Sequence, residues 1–222
     1  PSAASVNQPE VEEGVEEDNA LPREEVRLPW RDERFANWLV AGLIGGHAQA
    51  IMLGVVGFLI RDRLGLHDLP TETVAATGSV LFVGAMATLL AQWGLIPILQ
   101  IGSRASVLWG AFLALLGIIL VGISYDFYGI TLGFALASLG FGLYRPGFTT
   151  GASLAVRRFE QGDVAGKIAS LSGSAYIVTP AIGVALFNWW EPATFILIGI
   201  ALLYLIVWGR KALDDAPKPL DA

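Results

Sequence analysis

The run ASVLWGAFLALLGIILVGI, residues 105–123, carries no charged side chain over 19 positions. A hydrocarbon layer about 30 Å thick is crossed by roughly 20 apolar residues of helix, so this run has the length of one membrane span. Arg104 closes it on one side, and Ser124, Tyr125 and Asp126 on the other. Working outward, comparable runs occupy residues 35–60, 74–99, 128–156 and 164–187, and a last one begins at Pro192 and ends before Arg210. With 54% hydrophobic and 15% charged residues, the chain is too apolar for an ordinary soluble domain. The expected fold class is an all-α membrane protein with six transmembrane helices in residues 35–210, and its first partner is the lipid bilayer.

The flanks differ in chemistry. Residues 1–34 hold ten acids against four bases, while the remainder balances ten against ten, so the net charge of −6 belongs to the leading segment. That segment, rich in Glu, Pro and small polar residues, reads as a disordered cytoplasmic linker. Residues 211–222 read as a cytoplasmic tail. No basic start followed by an apolar core marks a signal peptide, and the first residue, Pro1, is not an initiator Met, which suggests further sequence upstream. Nothing resembles the basic patch that nucleic acid requires. Without cysteine there is no thiolate ligand or disulfide. Two histidines and no intramembrane carboxylate pair offer no metal site, no cofactor site and no enzyme chemistry.

Orientation follows from the basic residues, which are retained on the cytoplasmic side. One side of the spans holds Arg23, Arg27, Arg31, Arg34, Arg104, Arg157, Arg158, Lys167, Arg210, Lys211 and Lys218; the other holds Arg61 and Arg63. Both termini are therefore expected in the cytoplasm, with the loops near Leu66, Ser124 and Asn188 outside. Trp30, Trp38, Trp189, Trp190 and Trp208 lie near helix ends, where amphipathic indoles anchor.

Small residues at helical spacing mark where another helix approaches. The first span has Gly46, Ala50, Gly54 and Gly57 on one face; the fourth has Gly133, Ala137, Gly140, Gly147 and Gly151; the fifth has Gly166, Ser170, Ser174 and Ala181. Such faces serve packing, or they let helices slide during transport. Tyr144 falls on the fourth stripe between Gly140 and Gly147, so its phenol faces protein or a cavity. Its hydroxyl would touch a substrate or bond to a neighbouring helix.

The polar residues inside the spans are the candidate substrate-binding or gating groups. Arg145 lies about ten residues from the cytoplasmic end of its helix, where an unpaired charge costs at least ~2.5 kcal/mol. It needs water, a partner, a substrate or a route to the interface. Pro146 removes a backbone donor and should bend the helix. His47 could relay protons or sit neutral against a nearby acceptor. Gln49 shares the middle of that span, and Gln92, in the second, either faces a ligand or bonds helix to helix. Ser170, Ser172, Ser174 and Tyr176 add hydroxyls to the fifth span.

Three stretches carry a family likeness: Gly140-Phe-Gly-Leu-Tyr-Arg-Pro146-Gly-Phe-Thr-Thr-Gly-Ala-Ser153, the loop Arg157-Arg-Phe-Glu-Gln-Gly-Asp-Val-Ala-Gly166, and Ser172-Gly-Ser-Ala-Tyr-Ile-Val-Thr-Pro180-Ala-Ile-Gly183. They resemble helices ten and eleven of the major facilitator superfamily, and within it the bacterial drug and tetracycline efflux carriers. The likeness covers about Trp30 to Lys211. It implies the C-terminal half of a carrier, built as a 3+3 inverted repeat, in the bacterial inner membrane, completed by an N-terminal six-helix half. The loop after the second span departs from the family pattern, keeping only Gly102-Ser-Arg104. The implied function is secondary transport of a small solute by alternating access, efflux-type favoured, with proton coupling open. Two rivals stand beside it: a self-contained six-helix protein that oligomerises into a channel or pore, and a non-transporting membrane scaffold.

Overall fold

A computed structural model describes residues 27–214. Most of the acidic linker, with Arg23, and the end of the tail, with Lys218, lie outside the described residues. Six helices are long and apolar enough to cross a membrane: α1 (Ala36–Arg63), α2 (Pro70–Leu99), α3 (Ser103–Ile123), α4 (Phe127–Leu154), α5 (Gln161–Trp189) and α6 (Glu191–Ala212). No strand occurs among the described residues. The expected all-α, six-helix membrane architecture is what the chain adopts.

Helix starts follow local chemistry. Asp126 caps α4 by accepting a hydrogen bond from the Gly129 N–H at 2.9 Å. Pro70 and Pro192 open α2 and α6, where a residue without a donor and with φ already near helical values fits. Thr71 and Thr73 lie inside the first turn of α2, and the Thr73 hydroxyl donates to the carbonyls of Leu66 and Leu69. Near its other end α2 widens into a π-turn over Leu90–Leu95. Pro97 lies just beyond: its ring cannot accommodate the Trp93 carbonyl in a regular turn, and the wider winding relieves that conflict. Gln100 ends the helix in the left-handed region at φ 46°.

α1, α3 and α4 form the interior and α2, α5 and α6 the outside; 56% of the apolar stretch of α4 is buried against 17% of that of α2. The most extensive contact joins α3 to α4. There the backbones touch. A Cβ on Gly140 would lie 2.5 Å from the Gly110 carbonyl oxygen, one on Gly133 2.7 Å from the Val121 nitrogen, and one on Gly110 2.6 Å from the Tyr144 nitrogen. Gly147 abuts Ser106 in the same way. The α4 stripe therefore packs as expected, and its counterpart on α3 is Ser106, Gly110, Ala114 and Gly117.

The α1 stripe also meets neighbours: Gly54 lies against Pro180 of α5, Gly57 against Thr77 of α2 and Gly46 against Ala175 of α5. The α5 stripe does not. Ser170, Ser174 and Ala181 are exposed, and no atom comes within 4 Å of a Cβ built on Gly166. The face that α5 turns to the bundle is Val164, Ala175, Thr179, Gly183 and Phe187. Trp38 lies near the start of α1, as expected, but faces inward and not outward. It is buried, and its ring fills the space beside Gly151.

The described chain enters and leaves at one end of the bundle, here the proximal end. At the distal end Arg63, whose side chain is 4% exposed, donates to the carbonyls of Val121, Gly122 and Ser124 and pairs with Glu191. The last carbonyls of a helix lack intrahelical donors and carry the negative end of its dipole. One guanidinium thus caps α3 while tying α1 to α6, and it rests on the Tyr125 and Phe195 rings.

Two expectations follow for thermal or denaturant unfolding in mild detergent. Gly117→Ala, which sets a methyl against the α4 backbone 2.6 Å from the Gly133 oxygen, should destabilise by about 1–3 kcal/mol, whereas Gly78→Ala, facing open space, should be neutral or gain up to about 1 kcal/mol. Arg63→Met should cost about 3 kcal/mol because carbonyls and a carboxylate lose their partner. Arg61→Met, which loses a surface pairing with Asp62, should cost under about 1 kcal/mol.

Candidate functional site

α5 leans on α1, and α4 on α3 and α2, so α4 and α5 touch each other only sparsely. The gap between their proximal halves is a groove of about 780 Å³. Arg145 projects into it. Successive helical residues turn by about 100°, so with the Tyr144 ring directed at α1, the next side chain points to the open side. The Arg145 side chain is exposed and makes no hydrogen bond or ion pair among the described residues. Its Cα lies nine residues before the end of α4 at Leu154, about 13 Å along the axis.

The remaining walls combine apolar groups such as Ile168 with hydroxyls and an amide. The Thr149 hydroxyl is committed to the backbone carbonyls of Arg145 and Pro146, at 3.1 and 3.0 Å. The Gln161 amide donates to the Ser153 carbonyl at 3.2 Å. Thr150, Ser153 and Ser172 line the groove with hydroxyls that make no hydrogen bond among the described residues. Pro146 supplies no N–H to the Gly142 carbonyl, yet α4 stays helical on both sides of it.

The other candidates separate into distinct places. Gln49 accepts a hydrogen bond from the Tyr176 hydroxyl at 3.2 Å, joining α1 to α5, and Tyr176 is within electrostatic reach of Arg145. His47 bonds through Nδ1 to the Leu43 carbonyl of its own helix at 2.7 Å. Positions two apart diverge by about 200°, so it does not join the Gln49 pair. Gln92 is half-buried in the π-turn of α2 and does not line the groove. Tyr144 is 1% exposed. Its hydroxyl donates to the Ala41 carbonyl of α1, and its ring occupies the space that a Cβ on Gly45 would need. The bond to a neighbouring helix, one of the two roles open to it in the sequence, is present.

A polar cluster unrecognised in the sequence lies at the proximal end. Arg34 donates to both carboxylate oxygens of Asp32 and to both of Glu160, at 2.8 to 3.3 Å. Glu160 also accepts from the Arg157 N–H at 2.8 Å. Asp163 pairs with Lys167 and accepts from the Leu28 N–H, and Trp30 lies against the Lys167 ammonium. Residues 28–34, counted with the linker in the sequence, are thereby strapped to the α4–α5 connection. Beside the strap, a cavity of about 500 Å³ runs between the proximal ends of α1, α3, α4 and α6.

The fold and the site define a six-helix membrane bundle with a polar groove open along one side. Compared with models of known protein families and with curated proteins, the sequence has no match.

The strap gives a pH expectation. Hydrogen bonds from Arg34, and then from the Arg157 N–H, hold the Glu160 carboxyl below its ordinary value of 4.5 against the opposing effect of burial. A depressed carboxyl contributes stability that is fully present above its unfolded pKa and is lost as pH falls through the folded one. Unfolding measured from pH 7 down to 3 should show this loss below about pH 4.5, and Glu160→Gln should be less stable at pH 7 and flatter across that window.

Proposed function

We propose that this chain is half of a secondary carrier that moves a small solute across the bilayer by alternating access, with export favoured by the likeness to efflux carriers. The observation that carries the reading is the α4–α5 groove: a guanidinium and hydroxyls that have no partner among the described residues, and beside them an α5 stripe of small residues that no described helix covers. Lipid is a poor cover for such a face, because an uncompensated charge in hydrocarbon is costly. A second six-helix half, forming a central cavity with this one, would cover it.

Two further features support the proposal. Exchanging α1–α3 with α4–α6 turns the α1–α5 contact into the α4–α2 contact, and both are extensive, which favours a 3+3 inverted repeat, although the α3–α4 contact is much larger than its counterpart between α6 and α1. At the proximal end lie Arg27, Arg31, Arg34, Arg104, Arg157, Arg158, Lys167, Arg210 and Lys211, against Arg61 and Arg63 at the distal end. This asymmetry favours a cytoplasmic proximal end, with both termini inside, in a membrane such as the bacterial inner membrane. Proton coupling would run through His47 or a carboxylate of the partner half, since the described spans carry acids only near their ends.

These 222 residues contain no cysteine, so single thiols placed in them can report access once any cysteine elsewhere in the reading frame is replaced by serine. In the product of the full reading frame, in sealed vesicles, Ser153→Cys tests the proximal groove and Thr77→Cys the distal cleft between α1 and α2. Imposing a pH gradient should change labelling by a membrane-impermeant maleimide in opposite directions at the two positions. Parallel changes would indicate a pore, and labelling unchanged under a pH gradient and under a sodium gradient alike a static scaffold; either result would overturn the carrier reading.

A further inference from the structure

The arginines of this chain are treated unequally. Arg34 is matched by two carboxylates and Arg63 by a carboxylate and three carbonyls. Arg145, set deeper in the bundle, has neither. The acids that could have served it are committed: Glu160 to Arg34 and the Arg157 N–H, Asp163 to Lys167 and the Leu28 N–H. No carboxylate lines the groove. Any opposite charge that meets Arg145 in this groove therefore comes from outside the described residues.

The groove indicates what form that charge takes. It places one guanidinium, whose fork matches a planar or tetrahedral oxyanion, among the uncommitted hydroxyls of Thr150, Ser153 and Ser172, each able to donate one hydrogen bond. The remaining wall, including Leu154 and Ile168, is apolar. A bare inorganic anion would leave that wall unused, and an organic cation would meet the guanidinium with like charge.

We propose that the α4–α5 groove binds an amphipathic organic anion, its carboxylate, sulfonate or phosphate on Arg145 and the hydroxyls and its apolar body against Leu154 and Ile168. This rests on the carrier reading and gives that carrier its substrate class. Arg145 is the specificity-determining residue: it rewards a negative headgroup and repels a positive one.

The test is equilibrium dialysis of the full reading-frame product in uncharged detergent against three probes of one shape: naphthalene-1-sulfonate, naphthalene-1-methylamine and naphthalene-1-methanol. The sulfonate should bind saturably and the amine should not. Arg145→Gln should weaken sulfonate binding by about ten- to hundredfold, the factor carried by one charge-assisted contact, and Arg145→Lys should retain part of it. Ser172→Ala should weaken it by a few-fold, and this variant decides the matter if Arg145→Gln does not elute as a single folded species. Amine binding equal to that of the sulfonate, or sulfonate binding unchanged in Arg145→Gln or in Ser172→Ala, would overturn the proposal. The two readings fail separately. Opposed thiol labelling without sulfonate binding would keep the carrier and overturn the anion site; Arg145-dependent sulfonate binding with static thiols would keep the site and overturn the carrier.

Discussion

Inside a bilayer, lipid tails are as apolar as leucine, so burying hydrocarbon gives helices little reason to associate, and close packing must hold them instead. In this protein that packing is concentrated where α3 and α4 bring their backbones together across Gly110, Gly117, Gly133 and Gly140. A single added methyl at these positions would meet main-chain atoms that cannot rotate away. The remaining geometry is referred to this contact. It sets the Tyr144 nitrogen against Gly110, which directs the Tyr144 ring into the gap left by Gly45 and its hydroxyl onto the Ala41 carbonyl. α1 is thereby docked, and Arg145, one residue further on, is turned to the open groove.

Polar interactions are distributed to suit this arrangement. At the distal end Arg63 draws together α1, α3 and α6, and at the proximal end Arg34 and Asp163 strap the segment before α1 to the α4–α5 connection. Both clusters lie at helix ends, where carbonyls and carboxylates are available and hydration is near. Between them the helices meet through glycine, alanine and aromatic faces. Arg145 is the exception, a charge in the middle region whose neighbours offer hydroxyls but no opposite charge. A site left incomplete in this way, next to a helix face that no described residue covers, is where a further molecule is expected to act.

Much of this was legible in the residues. Span length and the scarcity of charge identified the six helices, and residues repeating at helical spacing identified the α1 and α4 faces. Tyr144 read correctly as facing protein because its position on a glycine stripe excludes lipid. The α5 stripe read equally well as an interface, yet it is exposed among the described residues, since spacing shows which residues share a face and not which way the helix is turned. Arg63 counted only as a loop charge, because its partners at Val121, Gly122, Ser124 and Glu191 lie about sixty and more residues away in the chain. The strap escaped notice for the same reason. Arg34 and Glu160 are separated by 126 positions, and an acidic, Pro-containing stretch looks like linker from its composition.

The sequence by itself determined the solvent, the number of spans and the side chains that cannot be left in hydrocarbon, because these depend on length and transfer free energy, which are local properties of a run. The tertiary structure decided which of those side chains are satisfied. Arg34 and Arg63 find carboxylates and carbonyls, Gln49 finds Tyr176, and Arg145 finds no partner among the described residues, because partnership depends on which helix ends and faces packing brings within hydrogen-bond distance.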